Sequence, residues 1–309
     1  MTKYIIRRLL GIIPTLFVIV TISFFIVRVA PGGPFDGERA LPEVVKRNIE
    51  AKYNMNDPLL VQYGRYMFDV MRGDLGPSYR YKDHDVNFYI FQSLPNSMIL
   101  GVIAIGIAVV FGITSGMLAA VKQNTWIDYL SMALAVVGIS IPLFVIGPVL
   151  QYIFAMRLGW FPTSGWFRSG DGWKTIVLPA ITLAFMDFAT IARLTRSSML
   201  ETLRSDYIRT AKAKGMKSST IVFKHAMKGA MLPIVSYLGP AFAGIITGSV
   251  VVEQVFRVPG LGRFFVQSSF NRDYTLIVGV VIVYSVILVF MNFFVDIIYS
   301  LLDPRITYK

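Results

Sequence analysis

The sequence predicts an all-α integral membrane protein with six transmembrane helices and a small helical extracytoplasmic segment between the first and second. Three observations predict it. Hydrophobic residues fill 55% of the 309 positions and charged residues only 16%, with a mean hydropathy of +0.60, whereas about a quarter of a soluble domain is charged. Five stretches free of formal charge, 9–27, 86–121, 129–156, 229–252 and 274–295, meet or approach the roughly 20 apolar residues that carry a helix across a bilayer core. Finally, positive charge gathers in one insert between spans: residues 193–228 hold nine Lys/Arg against Glu201 and Asp206. Short loops of that kind are retained on the cytoplasmic side.

The first span occupies residues 1–30. Lys3, Arg7 and Arg8 precede its apolar run as in a secretory signal. The run is longer than a signal core, however, and its end, VRVAPGG, lacks an A-x-A cleavage pattern, so the span is expected to be retained. Residues 31–94 then form an extracytoplasmic segment. VVKRNIEAKYNM and LLVQYGRYMFDVM have the mixed spacing of short amphipathic helices, separated at Asp57-Pro58 and closed by the Gly/Pro turn of RGDLGPS. A disordered connector is the alternative, and the segment's aromatic content argues against it.

The core, 95–302, carries spans at about 95–121, 129–156, 175–192, 231–252 and 275–302. The second is expected to start near Pro95, and the fourth is the weakest because Asp187 interrupts it. Counting crossings from a cytoplasmic N-terminus puts 193–228 inside, 253–273 outside and the tail 303–309 back in the cytoplasm. The strongest basic loop thus lands inside, as the charge rule requires.

Several features within the spans bear on function. Gly138, Pro142, Gly147, Pro148 and Pro179 interrupt helices at depths where free backbone groups are tolerated only beside protein or a water-lined cavity. The pairs Gly112/Gly116 and Gly244/Gly248 permit close helix crossing, within the chain or at a dimer seam. Asp187 and Asp296 are acids within spans, positions that mark either a transport pathway or a structural contact. Asp296 sits near the basic tail, which favours a structural role for it.

Some classes are excluded. The net charge of +12 is concentrated in short flanks beside apolar spans, the pattern of topology and lipid contact rather than of nucleic-acid recognition. With no cysteine and only His84 and His225, neither disulfides nor a multi-histidine or thiolate metal site is available. No G-x-x-x-x-G-K-[ST] occurs, so the chain carries no phosphate cradle for ATP.

The basic loop has its own pattern. Leu200, Leu203, Tyr207 and Ala211 fall on one helical face, and Gly215 is placed to end that helix. Ser218 or Ser219 is positioned to cap a second helix with the stripe Phe223, Met227 and Ala230, and Pro233 marks entry to the fifth span. Spacing alone leaves two readings open: a lever for a soluble partner, or a basic hairpin resting on lipid.

This loop, DYIRTAKAKG followed by KHAMKGAMLP, resembles the EAA motif of ABC-importer permeases, with Arg209-Thr210-Ala211, then Gly215, and Leu232-Pro233 closing it. Arg209 stands where the motif has glutamate, and the Gly215–Pro233 spacing is longer than usual. Both departures are similar to the dipeptide/oligopeptide/nickel branch. YIIRRLLGIIPTLFVIVTISFF, NDPLLVQYGRYMFDVMRGDLGPS, VVEQVFRVPGLGRFFVQSSFNRDYTL and VDIIYSLLDPRITYK resemble its first permease subunit over nearly the whole chain.

The resemblance implies a type I ABC importer fold in a bacterial or archaeal cytoplasmic membrane. It implies a second homologous permease, two ATP-binding subunits that hold ATP and magnesium, and an extracytoplasmic substrate-binding protein; no cofactor is expected in this chain and no catalysis. It assigns Leu203, Tyr207, Arg209, Thr210, Ala211 and Gly215 to ATPase coupling, and Pro259, Gly260, Leu261 and Gly262 to a loop facing the binding protein, unless that loop is a simple turn. Peptides are the expected substrate, oligopeptides ahead of dipeptides, with nickel or glutathione as alternatives. A stand-alone secondary transporter would show paired intramembrane ionisable groups or an inverted repeat, and a membrane-embedded enzyme a clustered nucleophile or metal set; neither signature is evident.

Overall fold

The computed structural model describes residues 2–29, 51, 53–81, 83–167, 172–248 and 250–302. Among them, regular structure is helical apart from an isolated bridge between Pro77 and Asp85. The helices are α1 (Thr2–Val29), α2 (Leu59–Met71), α3 (Val86–Val121), α4 (Trp126–Ser140), α5 (Leu143–Leu150), α6 (Lys174–Leu203), α7 (Asp206–Ala213), α8 (Met227–Gly248), α9 (Val250–Phe256), α10 (Gly262–Asn271) and α11 (Tyr274–Leu302). A π-helical turn, Gln151–Arg157, extends α5, and Ser218–Thr220 with π-helical Ile221–Ala226 leads into α8.

Four of these helices are long and apolar enough to cross a membrane, and six spans result if each of two bent pairs counts as one. One pair, Trp126–Ser140 with Leu143–Arg157, bends by 111°. Proline explains it. Pro142 has no N–H to continue the ladder, and Ile141 before it is extended, at φ −95° and ψ 122°, as pre-proline residues favour. The expected straight span 129–156 is therefore broken. The second pair, Ser218–Ile245 with Val250–Phe256, bends by 51°.

Other boundaries also differ from expectation. α3 begins at Val86 rather than near Pro95, because tertiary contacts hold its first turn in place. The Val86 N–H donates to Gly76 O at 3.1 Å, the Asn87 side chain bridges Leu75 N and Gly73 O at 2.9 and 2.6 Å, and Val86 and Ile90 are buried. α6 continues past residue 192 to Leu203, so the basic loop begins as an extension of the fourth span. Pro233 lies inside α8 rather than at its entry. In the outer segment LLVQYGRYMFDVM forms α2, while most of VVKRNIEAKYNM and the whole tail 303–309 lie outside the described residues.

The chain divides into two compact units: Met1–Ile5 with Met98–Val258 and Leu288–Lys309, and Ile6–Ser97 with Pro259–Ile287. In the first, α6 is the central helix and contacts α4, α5, α8 and α9. Its mean hydropathy of 1.8 is below the 2.5–2.7 of the second and sixth spans, yet more of it is buried. A helix surrounded by protein needs less apolar surface than one facing lipid, so the weakest of the four long helices by composition is the best enclosed of them. Small residues let neighbours close on it. A Cβ at Gly116 would stand 2.4 Å from Ala192 O and 2.6 Å from Thr195 Cβ, and one at Gly112 would stand 2.8 Å from Ile191 Cγ2. That pair therefore serves packing within the chain. Gly244 is different: nothing lies within 4 Å of a Cβ placed there.

A partly buried ion pair ties α4 to α6. Arg196 donates from Nε to Asp128 Oδ1 at 2.6 Å and from Nη2 to Oδ2 at 2.7 Å, with Asp128 2% and Arg196 27% exposed. Asn124 N–H adds a third bond to the same carboxylate. Asp128→Ala is expected to cost about 1–3 kcal/mol through the lost charged hydrogen bonds to Arg196, read as a lowered thermal unfolding midpoint in detergent. Asp128→Ala with Arg196→Met should recover most of the loss.

In the second unit α2 packs on the end of α1. Phe24 meets the Tyr63 ring edge-on at 5.4 Å, Thr21 and Tyr63 share a hydrogen bond of 2.8 Å, and Arg28 lies 3.5 Å over the Phe24 ring. Asp273 is this unit's main polar anchor. Fully buried, it accepts hydrogen bonds from Ser78 Oγ, from the Tyr79 and Arg80 amides at 3.2 and 3.4 Å, and from Thr275 Oγ1 and Leu276 N at 3.1 and 3.3 Å. One carboxylate thus caps α11 and clasps the segment before α3. Burial pushes the Tyr79 phenol above its ordinary range, Arg28 opposes the shift, and Asp273 adds to it, so Tyr79 stays neutral at physiological pH. Asp273→Ala should cost about 3 kcal/mol through the lost cap and the orphaned donors, and amide exchange at Tyr79 and Arg80 should quicken about 100-fold.

Candidate functional site

The basic loop forms a lever with a buried root. α6 ends in a turn in which the Arg204 and Ser205 amides donate to Glu201 O and Thr202 O, and α7 starts afresh. That break resets the helical phase. Of Leu200, Leu203, Tyr207 and Ala211, predicted on one face, Leu200, Leu203 and Ala211 join one apolar cluster, while Tyr207 stands outside it, exposed. Ile208 and Ala211 turn inward with Met199, Ile221, Ala226 and Ala230, and Leu203 packs at the edge of that cluster. Tyr207, Arg209 and Thr210 are exposed. Ala211 is thus the support beneath the face rather than part of its contact surface. The Tyr207 hydroxyl covers Gly229, where a Cβ would stand 3.1 Å away.

Gly215 ends α7 as expected. Its φ is +75°, a left-handed conformation that glycine adopts without steric cost. Gly215 N–H donates to Lys212 O at 2.9 Å and Met216 N–H to Ala211 O at 3.3 Å, the paired bonds of a Schellman cap. The second helix does not start on a serine cap: Lys217 occupies that position and Ser218 is already helical. Of its expected stripe, Ala230 is buried and Met227 partly buried, while Phe223 is exposed. Arg209, Lys212, Lys214, Lys217, Lys224 and Lys228 all lie on the solvent side. The Arg209–Asp206 pair, 3.4 Å long and exposed on both sides, adds little stability. The face is positively charged and rigidly rooted.

Asp187 occupies a second location. Only 8% exposed, it accepts a 2.6 Å hydrogen bond at Oδ1 from Tyr237 Oη. Both residues line a cavity of about 280 Å³ together with Leu143, Leu183, Met186 and Gly244. Leu143 follows directly on the α4–α5 break at Pro142, whereas Gly138 and Gly147 pack against neighbouring helices instead. Asp296 is half-buried near the end of α11 and is not among the lining residues.

The segment Pro259–Gly262 turns inward. Gly260, Leu261 and Gly262 are buried, Asn96 Nδ2 donates to Pro259 O at 2.9 Å, and Leu261 N–H donates to Ser97 Oγ at 2.8 Å. The residues expected to face a binding protein are thus held in a buried turn, and beside them on α10 Gln267, Ser269 and Phe270 are exposed. Sequence reasoning missed Tyr237, an uncharged residue inside an apolar run, and the Asp128–Arg196 pair, whose members lie 68 positions apart.

Residues 112–308 match the family described as binding-protein-dependent transport system inner membrane component, and residues 1–100 match its N-terminal membrane component. The chain belongs to this family. The permease is 48% identical to the oligopeptide transport system permease protein OppB of Salmonella typhimurium, covering all of both chains. It is 45% identical to the dipeptide transport system permease protein DppB of Bacillus subtilis, over 99% of this chain and 98% of that one. Its fold is similar to a chain of the inward-facing MetNI methionine ABC transporter, with a TM-score of 0.56, 17% identity, and 70% of this chain and 97% of that one covered. At that identity the likeness concerns the fold of the permease alone.

Proposed function

We propose that this permease is one of two homologous subunits forming the pore of an ATP-driven importer of peptides, with oligopeptides the principal cargo. The observation that carries the reading is a membrane-embedded chain with an exposed, cationic, rigidly rooted cytoplasmic lever, in a sequence 48% identical to an oligopeptide permease along its whole length. Energy enters through α7 and the Gly215 cap. Two partner subunits bind and hydrolyse ATP with magnesium, and their closure pulls on Tyr207, Arg209, Thr210 and Gly215 while Leu203 and Ala211 pass the motion to α6 and α8. The abundance of lysine on this face fits an acidic partner surface.

The α10 helix, with Phe270 84% exposed, receives a substrate-binding protein. The N- and C-termini lie in the cytoplasm, as the charge of 193–228 requires. Asp187 belongs to the translocation path, and Asp296 acts structurally at the membrane edge. A dipeptide cargo is the second reading, favoured by the full-length likeness to DppB.

The test is gentle detergent extraction of the tagged chain from its native membrane, followed by mass spectrometry of what co-purifies. A second permease and P-loop ATPases are the expected companions. Recovery of the chain alone, still transporting in liposomes without ATP, would overturn the reading.

A further inference from the structure

The Asp187 cavity suggests which part of the cargo the permease itself recognises, an inference that rests on the peptide reading above. Asp187 is the fourteenth residue of the 30-residue helix α6, about 20 Å from its start at 1.5 Å per residue, and so lies near mid-bilayer. A carboxylate at that depth is costly unless a partner or ligand engages it. Among the described residues its partner is Tyr237 Oη, which takes Oδ1. A carboxylate accepts about four hydrogen bonds, so most of its capacity is left facing the cavity. The rest of the lining, with Leu143, Leu183, Met186 and Gly244 in it, is apolar or without a side chain.

The wall therefore offers one anionic acceptor, one phenol and apolar surface. That set suits a small cation attached to carbon. Three side-chain oxygens, two of Asp187 and one of Tyr237, fall short of the six or more that a hard divalent ion takes, and no lining residue carries a positive charge to receive a carboxylate. At about 280 Å³ the space lies just below the range of drug-sized ligand pockets, enough for the end of a peptide but not its length. We propose that Asp187, positioned by Tyr237, forms an intramembrane subsite for the α-ammonium end of the translocated peptide, with Leu183 and Met186 against its first side chain.

The test is equilibrium binding of labelled trialanine to the assembled permease–ATPase complex in lipid nanodiscs, with the binding protein left out so that it contributes no site. Saturable binding is expected in the wild type, weakened about tenfold or more by Asp187→Asn, in line with the loss of a charged hydrogen bond. N-acetyl-trialanine should bind as weakly to the wild type as trialanine does to the variant. Asp187→Glu, which keeps the charge and controls for misfolding, should retain most of the affinity. Equal affinity in wild type and Asp187→Asn, equal affinity for the acetylated peptide, or no saturable binding at all would each overturn the subsite. ATP-driven uptake of trialanine by the wild-type complex with its binding protein separately checks the peptide reading, which survives if the subsite fails.

Discussion

Gly116→Leu is expected to abolish recovery of folded permease, while Gly106→Leu in the same helix leaves it nearly unchanged. The chemical change is identical and the helix is the same, so the contrast isolates packing. At Gly116 the nearest obstacles to a Cβ are the Ala192 carbonyl at 2.4 Å and Thr195 Cβ at 2.6 Å, whereas at Gly106 nothing lies within 4 Å. Ala192 is fixed backbone of the buried helix α6, so relief requires α3 and α6 to separate. Overpacking a tight core costs about 1–3 kcal/mol when side chains can adjust and more when backbone must move; here about 4 kcal/mol or more is expected. The amount of monodisperse protein on gel filtration in mild detergent measures it. Equal yields from the two variants would show that the α3–α6 contact is looser than described.

The second large effect concerns transport rather than folding. Gly215→Val should reduce ATP-driven uptake at least tenfold while the permease remains folded. Gly215 is exposed, and nothing lies within 4 Å of a Cβ placed there. The penalty is one of backbone: at φ +75° a β-branched residue pays about 1–3 kcal/mol, enough to unwind the cap that holds Met216 to Ala211. The contact surface would change shape without a change in the buried cluster beneath it. Gly215→Asn is the discriminating control, since asparagine tolerates the left-handed region, and it should keep most of the uptake. If valine and asparagine behave alike, side-chain bulk at the partner contact, not backbone strain, is the operative factor.

Much of this arrangement was legible in the residues. Apolar run lengths located the spans, and the charge of 193–228 together with Gly215 located the lever, because both signals are local. What stayed hidden depends on contacts between distant positions. Pro95 reads as a helix start only until Asn87, Gly73 and Gly76 anchor the preceding turn. The face of Leu200, Leu203, Tyr207 and Ala211 holds except at Tyr207, which the Arg204–Ser205 turn leaves exposed. Pro259–Gly262 reads as an exposed loop, yet Asn96 and Ser97 draw it inward. The acid at 187 was visible as an anomaly, but Tyr237 and the cavity beside it emerged only when α6 and α8 were side by side.

The most direct measurement of the central claim is uptake of a labelled tripeptide into proteoliposomes holding the purified complex, with the binding protein outside and ATP either enclosed or omitted. Accumulation that requires enclosed ATP, and that is lost when the Gly215→Val chain replaces the wild type, is the predicted result. Uptake that proceeds without ATP, or nickel uptake with no peptide uptake, would contradict it.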